Sequence, residues 1–259
     1  MHYPKRSLGQ NFLIDHNIVR KILSLASITS RDAILEIGPG KGILTSALIA
    51  SGARVVALEK DHQLACELVE QFIGMSMVSI YDADALLIDY SQVISRPYKL
   101  VANLPYNIAT ALLTKVMQSG HTPELLVVMV QKEVAEKICA RPPHASVMSN
   151  IMQVWGAVSI AHIVSPTCFR PRPRVDSAVI VIEPFVQPLL QHSQIGAYIQ
   201  LIHSGFAKKR KRLLSNLAEA FSLKKEVLED IFLKLGLALT IRAEEVTISQ
   251  WSKLLDKLK

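Results

Sequence analysis

The tetrapeptide Asn103-Leu104-Pro105-Tyr106 could carry chemistry on the amino group of a nucleobase. The exocyclic nitrogen of adenine is a poor nucleophile because its lone pair is delocalised into the ring. The Asn103 side-chain oxygen and a neighbouring backbone carbonyl could each accept one N–H, which would free the lone pair to attack a methyl sulfonium. Pro105 lacks an N–H and stiffens the turn, and Tyr106 offers a face on which a base stacks, typically worth ~1–3 kcal/mol. The alternative is a turn that merely ends a strand.

A glycine-rich turn earlier in the chain indicates a site for a small ligand. Residues 34–42 run from an apolar β segment through three glycines spaced G-x-G-x-G into a helix. Glycine permits a tight turn and close approach of the backbone to a ligand, and the helix N-terminus offers free N–H groups. The spacing is not the G-x-G-x-x-G of dinucleotide folds. Gly38 and Gly40 are therefore candidate cofactor-binding residues, with packing alone as the alternative.

Acidic residues follow the next two β segments. Glu59 ends the second segment, where a carboxylate can accept hydrogen bonds from ribose hydroxyls, and Lys60 comes directly after it. Asp84 follows the third segment and could accept a hydrogen bond from an adenine amino group. Asp82 competes for this role, and either acid could instead cap the following turn. Since these positions share one edge of a parallel sheet, we predict an adenosine pocket, without a metal site or a Walker phosphate loop.

Taken together, these motifs resemble those of the ribosomal RNA adenine dimethyltransferases, and most closely the bacterial small-subunit group. Further matching segments are residues 7–13, 131–135 and 169–178, so the resemblance covers essentially the whole chain. An N-x-P-Y motif alone would be less specific, because it also marks DNA adenine and protein glutamine methyltransferases. The chain departs from the family's usual sequence at residues 107–111 and 142–146, both outside the expected reacting groups.

The resemblance implies an S-adenosylmethionine-dependent enzyme that dimethylates N6 of two adjacent adenosines in the 3′-terminal hairpin of small-subunit (16S) RNA. Glu59 would hold the cofactor ribose, Asp84 its adenine, and Asn103 would lie beside the sulfonium. Tyr106 and Phe169 would sandwich the target base. The implied cofactor-binding set is Gln10, Asn11, Leu13, Gly38, Gly40, Glu59, Lys60, Asp84 and Asn103. The implied catalytic set is Asn103, Leu104, Pro105, Tyr106 and Phe169.

These residues require a scaffold that brings several strand ends together. Short β-rich apolar segments alternate with helix-like segments up to residue 183, which implies βαβ units and a mostly parallel sheet. The last two candidate strands, residues 154–163 and 177–183, are joined by a Pro/Arg-rich loop, so we expect them to pair antiparallel. Helical periodicity dominates after Pro184. We predict an α/β fold of the class I (Rossmann-like) methyltransferase type, with a seven-stranded sheet in residues 1–185 and a small all-α RNA-binding domain in residues 186–259.

Two basic stretches are candidate RNA-binding elements. Arg170, Arg172 and Arg174 follow Phe169, next to the expected base pocket. Such side chains hold phosphates without reading sequence and make binding salt-dependent. A solvated face is the alternative for both stretches, and a nuclear-localisation signal for the second. The second stretch, which we expect on a helix, is Lys208, Lys209, Arg210, Lys211 and Arg212. The target adenine must be single-stranded or flipped out to reach the cofactor.

Composition is consistent with an RNA partner. The 259 residues carry a formal net charge of +7, which favours a polyanion such as nucleic acid or an anionic membrane. Three widely spaced cysteines without metal-ligand spacing predict reduced thiols. The sequence shows no signal-peptide pattern and no membrane-spanning run. We expect a cytoplasmic, monomeric protein that acts on the RNA of the immature small ribosomal subunit.

Three other functions compete with this one. A methyltransferase acting on large-subunit RNA would share most of the motifs, although the match at residues 206–217 favours the small-subunit group. A non-catalytic ribosome-assembly or transcription factor could use the same fold, but the intact tetrapeptide favours catalysis. A nicotinamide dehydrogenase is the weakest alternative because the glycine spacing differs from that of dinucleotide folds.

Overall fold

A seven-stranded sheet organises the computed structural model, which describes residues 10–258. The strands are β1 (Phe12–Leu13), β2 (Ala33–Ile37), β3 (Arg54–Glu59), β4 (Val78–Asp82), β5 (Lys99–Asn103), β6 (Leu125–Gln131), β7 (Gly156–Val164), β8 (Phe169–Arg170) and β9 (Ser177–Pro184). The helices are α1 (His16–Leu25), α2 (Ile43–Ala50), α3 (His62–Gln71), α4 (Ala109–Gln118), α5 (Lys132–Cys139), α6 (Val147–Met152), α7 (His192–Gly205), α8 (Leu213–Phe221), α9 (Lys225–Lys234) and α10 (Ile248–Lys257).

The strand order of the large sheet is β4-β3-β2-β5-β6-β9-β7. Strands β4, β3, β2, β5 and β6 pair in parallel, and β9 pairs antiparallel with β6. The predicted seven-stranded, mostly parallel sheet is therefore confirmed. The strand order reverses beside β2, which pairs with both β3 and β5. In open α/β sheets a ligand crevice forms outside the carboxyl ends of the strands at such a point.

The central strands are buried on both faces, as continuous Val, Ile and Leu runs predict for parallel strands. From Val55 to Glu59 every residue of β3 is buried. Helices α1 and α2 contribute apolar faces to the same core, and α1 begins where the Asp15 side chain accepts a hydrogen bond from the backbone N–H of Asn17 at 2.7 Å. Two acids, Glu36 and Glu59, are exceptions within these apolar strands, and both belong to the site described below.

A two-stranded sheet holds the N-terminal segment in place. Strands β1 and β8 pair antiparallel, with Leu13 opposite Phe169 and Phe12 opposite Arg170. The backbone N–H of Ile14 extends this pairing by donating to the carbonyl of Cys168 at 2.9 Å. Of the N-terminal motif at residues 7–13, the first three residues lie outside the described part of the chain.

The chain divides into two compact units. The first comprises residues up to Ala135 together with Ala157–Pro184, and the second comprises Glu136–Gly156 together with the chain from Phe185 onward. This division differs from the expected single cut between residues 185 and 186, because residues 136–156 join the C-terminal helices. Hydrogen bonds within the second unit show why: Ala145 N–H donates to the carbonyl of Glu244 at 3.0 Å, and Leu189 N–H to that of Val154 at 2.9 Å. Among residues 10–258 no helix is both long and apolar enough to cross a bilayer.

The second unit is built around a fully buried tryptophan. Trp251 of α10 packs against α7 at Gly205, where an added Cβ would overlap the indole ring. The ring of Phe206 stacks on the same indole with a centroid distance of 6.2 Å. The backbone of Gly205 is ordinary helix and does not itself require glycine. The contact with Trp251 is what excludes a side chain at this position.

The run Lys208–Arg212 is not helical, and the expectation that it splays around a helix is wrong. It forms the turn between α7 and α8, and all five side chains are exposed. The buried side chain of Asn216 explains the turn, because its Nδ2 donates to the carbonyls of Gly205 at 2.6 Å and Lys208 at 3.3 Å. These bonds replace the helical hydrogen bonds that would continue α7.

Candidate active site

A cleft of about 890 Å³, open solvent included, lies in the first unit at the carboxyl edge of the sheet. The cleft is lined by the N-terminal segment, the glycine turn after β2, the end of β3 and the turn after β5. Its lining includes Gln10, Asn11, Phe12, Leu13, Glu36, Gly38, Gly40, Lys41, Glu59, Lys60, Asn103, Leu104, Pro105 and Tyr106.

All three glycines of the turn have positive φ, and two of them line the cleft. Gly38 and Gly40 have φ values of +70° and +60°, a region that L side chains rarely adopt. A Cβ on Gly40 would lie 2.9 Å from the ring of Phe12, and one on Gly38 would lie 3.3 Å from the ring of Pro105. The turn thus forms a cradle in which neighbouring rings occupy the space that side chains would need.

Glu59 is buried and supports this cradle. Its Oε2 accepts a hydrogen bond from the Gly40 N–H at 3.1 Å, and its Oε1 accepts one from the Asp61 N–H at 2.9 Å. Burial raises the pKa of Glu59, and these backbone donors oppose the rise. Each carboxylate oxygen can accept a second hydrogen bond. Glu59 can therefore hold the turn and a ligand hydroxyl at the same time.

Glu36 is a site residue that the sequence analysis missed. It is 1% exposed, lines the cleft, and accepts a hydrogen bond from Thr45 Oγ1 at 2.7 Å. Burial raises the pKa of Glu36 to about 8, and the neighbouring charge of Glu59 acts in the same direction. The available signal was an acid inside the otherwise apolar strand Ala33–Ile37.

Asn103 faces the cleft from the end of β5. Its Nδ2 donates to the backbone carbonyl of Asn11 at 3.3 Å. Its Oδ1 is buried, and among the residues that the structure describes it has no hydrogen-bond partner. A buried polar atom without a partner is unfavourable and calls for an explanation. An acceptor in this position fits a ligand that donates an N–H.

Tyr106 is held by a residue from a distant strand. Its hydroxyl is hydrogen-bonded to Ser177 Oγ at the start of β9, and burial raises the pKa of Tyr106. The structure does not bring Phe169 to the same cleft: that residue is 3% exposed and belongs to the same buried core cluster as Leu13 of β1. The two rings of the expected base sandwich are therefore not assembled around the cleft in this structure.

Asp82 at the end of β4 and Asp84 just after it both interact with basic neighbours. Lys60 Nζ contacts Asp84 Oδ2 at 2.7 Å and holds the pKa of Asp84 below its ordinary value. Asp84 Oδ1 also accepts a hydrogen bond from the Leu86 N–H at 2.9 Å, so it caps the following turn. Asp84 is not among the residues lining the cleft, whereas Lys60 is. The competing candidate, Asp82, pairs with His62.

The N-terminal segment, residues 10–13, contacts both walls of the cleft. Gln10 Nε2 donates to Asp61 Oδ2 at 2.9 Å on one side, and Asn11 accepts from Asn103 on the other. The ring of Phe12 lies against Gly40, and Lys41 Nζ lies 5.2 Å from the centroid of that ring. The segment thus brings Gln10, Asn11 and Leu13 to the cleft together.

The basic candidates are exposed. Arg170, Arg172 and Arg174 are exposed at and after β8. In the turn of the second unit, Lys208 is paired with Glu219, which lies on α8. Within residues 10–258, no group of three or more His, Cys, Asp or Glu side chains is arranged to hold a metal ion.

Comparison with known proteins gives a consistent result. Residues 1–259 match the family described as Ribosomal RNA adenine dimethylase. A protein of Halothermothrix orenii named Ribosomal RNA small subunit methyltransferase A is 37% identical, over 98% of this chain and 87% of its own length. The protein of that name from Clostridium acetobutylicum is 34% identical, over 99% and 94% of the two chains.

Two solved structures have the same fold. A dimethyladenosine transferase from Plasmodium falciparum superimposes with a TM-score of 0.81 at 23% identity, covering 94% of this chain and 95% of the other. The 23S rRNA methyltransferase ErmE superimposes with a TM-score of 0.75 at 24% identity, covering 96% and 99%. At these identities the likeness establishes the fold alone, including the helical C-terminal region.

Proposed function

Because this chain belongs to the ribosomal RNA adenine dimethylase family, we propose that it transfers methyl groups from S-adenosylmethionine to adenine N6 in small-subunit ribosomal RNA. Its targets would be two adjacent adenosines of the 3′-terminal hairpin loop, each of which receives two methyl groups. Its biological role would be in the maturation of the small subunit. A cytoplasmic location and a monomeric state stay predictions.

The unpartnered, buried Oδ1 of Asn103 is the observation that carries this proposal. An adenine amino group entering the cleft would donate one N–H to this oxygen. A backbone carbonyl of the turn 103–106 would accept the other. With both protons held, the nitrogen lone pair is directed away from the ring and becomes nucleophilic. The nitrogen would attack the methyl carbon as the methyl–sulfur bond breaks, which would release S-adenosylhomocysteine. The methylated nitrogen is then cationic and would lose one N–H proton to solvent, so no strong general base is required before the attack. Positioning of the two bound reactants can supply roughly 7–11 kcal/mol of the barrier.

The donor set of the cleft fits S-adenosylmethionine, which supplies an electrophilic methyl group when bound. Glu59 would accept hydrogen bonds from the ribose, and Gly38 and Gly40 would let the backbone approach the ligand closely. Gln10, Asn11 and Leu13 would cover the methionine end. Lys60 and Asp84 would border the adenine, with Asp84 oriented by the Lys60 ion pair. Glu36 adds a further carboxyl group to the lining of the cleft.

Tyr106 and the surrounding turn would hold the target base. Leu104 and Pro105 fix the backbone of this turn, in which Leu104 N–H donates to the carbonyl of Met129 at 3.0 Å. Tyr106 would stack on the base, which has to be unpaired or flipped out. Phe169 stays a candidate for the second face only if its ring leaves the core when RNA binds. Arg170, Arg172 and Arg174, and the cations of the turn Lys208–Arg212, would hold phosphates.

The test is methylation of small ribosomal subunits that lack adenine dimethylation, with labelled S-adenosylmethionine and mapping of the modified nucleotides. We expect two adjacent dimethyladenosines near the 3′ end of the RNA. Binding of the cofactor without labelling of small-subunit RNA would contradict the proposed substrate. A parallel reaction with large-subunit RNA tests the competing assignment, which label on that RNA alone would support.

A further inference from the structure

The hydroxyl of Tyr106 is anchored by a residue 71 positions away in the chain. Ser177 is 0% exposed and begins β9, where it lies opposite Gln131 of β6. Tyr106 lies on the turn after β5 and lines the cleft. A side-chain contact therefore joins the wall of the cleft to a strand that does not line it.

This hydrogen bond decides how freely the Tyr106 ring can turn. A phenylalanine in its place would keep the aromatic face but leave the Ser177 hydroxyl buried without its partner, which is unfavourable. The bond also restricts the two side-chain torsions of the ring. A base stacks well only on a ring that is held at the right angle, so the bond prepares the ring before the base arrives.

The position of Ser177 is itself well fixed. Its strand pairs with β6, and the backbone N–H of Lys132 donates to the carbonyl of the preceding residue, Asp176, at 3.0 Å. Ser177 also directly follows the loop that carries Arg172 and Arg174. The ring of Tyr106 is thus anchored where an RNA-contacting loop would end.

We infer that Ser177 is a positioning residue that sets the Tyr106 ring for stacking on the target adenine. The inference rests on the function proposed above. It explains why a tyrosine, and not merely any flat ring, is suited to position 106. It assigns Ser177 an effect on the transfer step and none on binding of the cofactor.

The experiment compares Tyr106→Phe, Ser177→Ala and the double variant with the wild-type protein. The measurements are the single-turnover methylation rate on unmethylated small subunits, the Kd for S-adenosylmethionine, and the Tm. Tyr98→Phe is the matched control, because it removes a buried tyrosine hydroxyl bond, to the carbonyl of His121, at the opposite end of β5. That control should lower the Tm without changing the methylation rate.

Loss of one neutral hydrogen bond predicts about a tenfold lower methylation rate for each single variant, with an unchanged Kd for the cofactor. The double variant should also be about tenfold slower rather than hundredfold, because both changes remove the same bond. Its Tm should recover toward wild type, since no buried hydroxyl then lacks a partner. A methylation rate that recovers together with the Tm would overturn the inference, because the bond would then be merely structural.

Additive losses in the double variant, or single variants with wild-type rates, would also overturn it. A wild-type protein that fails to methylate adenine would overturn the proposed function and this inference together. That result is recognised before any variant is measured, so the two failures are distinguishable.

Discussion

The side chain of Asn103 donates to the backbone carbonyl of Asn11 at 3.3 Å, which links the turn after β5 to the N-terminal segment. Because a carbonyl oxygen can only accept, Asn103 must use its amide nitrogen in this bond. The nitrogen is used within the protein, and the oxygen is left buried without a partner among the described residues. One residue can thus fasten the N-terminal segment and present an acceptor to a substrate.

Replacing Asn103 with alanine should abolish most of the methyl transfer. Removal of a preorganised hydrogen-bonding group from an active site commonly costs about 100-fold or more in kcat. The Kd for S-adenosylmethionine should change much less, because Glu59 and the glycine turn remain. Rapid-quench methylation assays and calorimetric titration with the cofactor measure the two quantities. Full activity in Asn103→Ala would remove this residue from the mechanism.

Gly40→Ala should weaken cofactor binding through a local clash. The added Cβ would lie 2.9 Å from the Phe12 ring at a φ of +60°, so ring and turn must both shift. Gly120→Ala is the matched control, because Gly120 has a φ of +69° with nothing within 4 Å of its Cβ position. We expect a rise of at least about tenfold in the cofactor Kd for Gly40→Ala alone. An unchanged cofactor Kd in Gly40→Ala would contradict the assignment of this turn to the cofactor.

Glu36 should make the free energy of unfolding decrease as the pH rises. Its pKa rises from 4.5 to about 8 on folding, so the folded protein binds a proton that the unfolded chain releases. The free energy of unfolding should therefore fall as pH rises from about 4.5 to about 8, by at most about 1.4 kcal/mol per pH unit. Urea titrations of wild type and Glu36→Gln across this range measure the slope, which the variant should lose. Glu67→Gln, at an exposed position, should keep it; identical slopes in wild type and Glu36→Gln would contradict the assignment.

Neutralising the turn between α7 and α8 should flatten the salt dependence of RNA binding. Each phosphate contact on single-stranded RNA contributes about 0.7 to the slope of log K against log salt, so Lys209, Arg210 and Lys211 together contribute roughly 2. Lys208→Ala should have a smaller effect, because Lys208 is already paired with Glu219. Replacing Lys224, Lys225 and Lys234 at and on α9 changes the net charge equally and serves as the control. The same reduction in both triple variants would mean that net charge alone governs binding.

Local sequence patterns predicted the sheet and the two turns that line the cleft. The alternation of β-rich and helix-like segments predicted the mostly parallel sheet, because buried parallel strands form uninterrupted apolar runs. The candidate strands at residues 154–163 and 177–183 lie within two residues of the observed ends of β7 and β9. The glycine turn and the tetrapeptide were found because tight turns at strand ends require particular residues. Their meeting at one cleft followed from the parallel order of β2, β3 and β5.

Features that depend on distant contacts were not predictable in this way. The pairing of Tyr106 with Ser177 and the burial of Phe169 follow from where β8 and β9 return to the first unit. The turn at Lys208–Arg212 depends on Asn216, whose buried amide interrupts a run that looks helical by itself. Residues 136–156 join the second unit through bonds to residues far along the chain, such as Glu244. Glu36 was overlooked because a single acid in an apolar strand does not disturb its periodicity.

The contact between Gly205 and Trp251 carries an evolutionary consequence. Gly205 lies in a regular helix, so its backbone would accept alanine or serine. The obstacles to a Cβ at this position are the indole of Trp251, which it would overlap, and the Leu213 side chain at 2.9 Å. A larger residue at position 205 is therefore acceptable only when position 251 carries a smaller side chain. Among related sequences, larger residues at 205 should accompany smaller ones at 251, and the two positions should covary although 45 residues separate them.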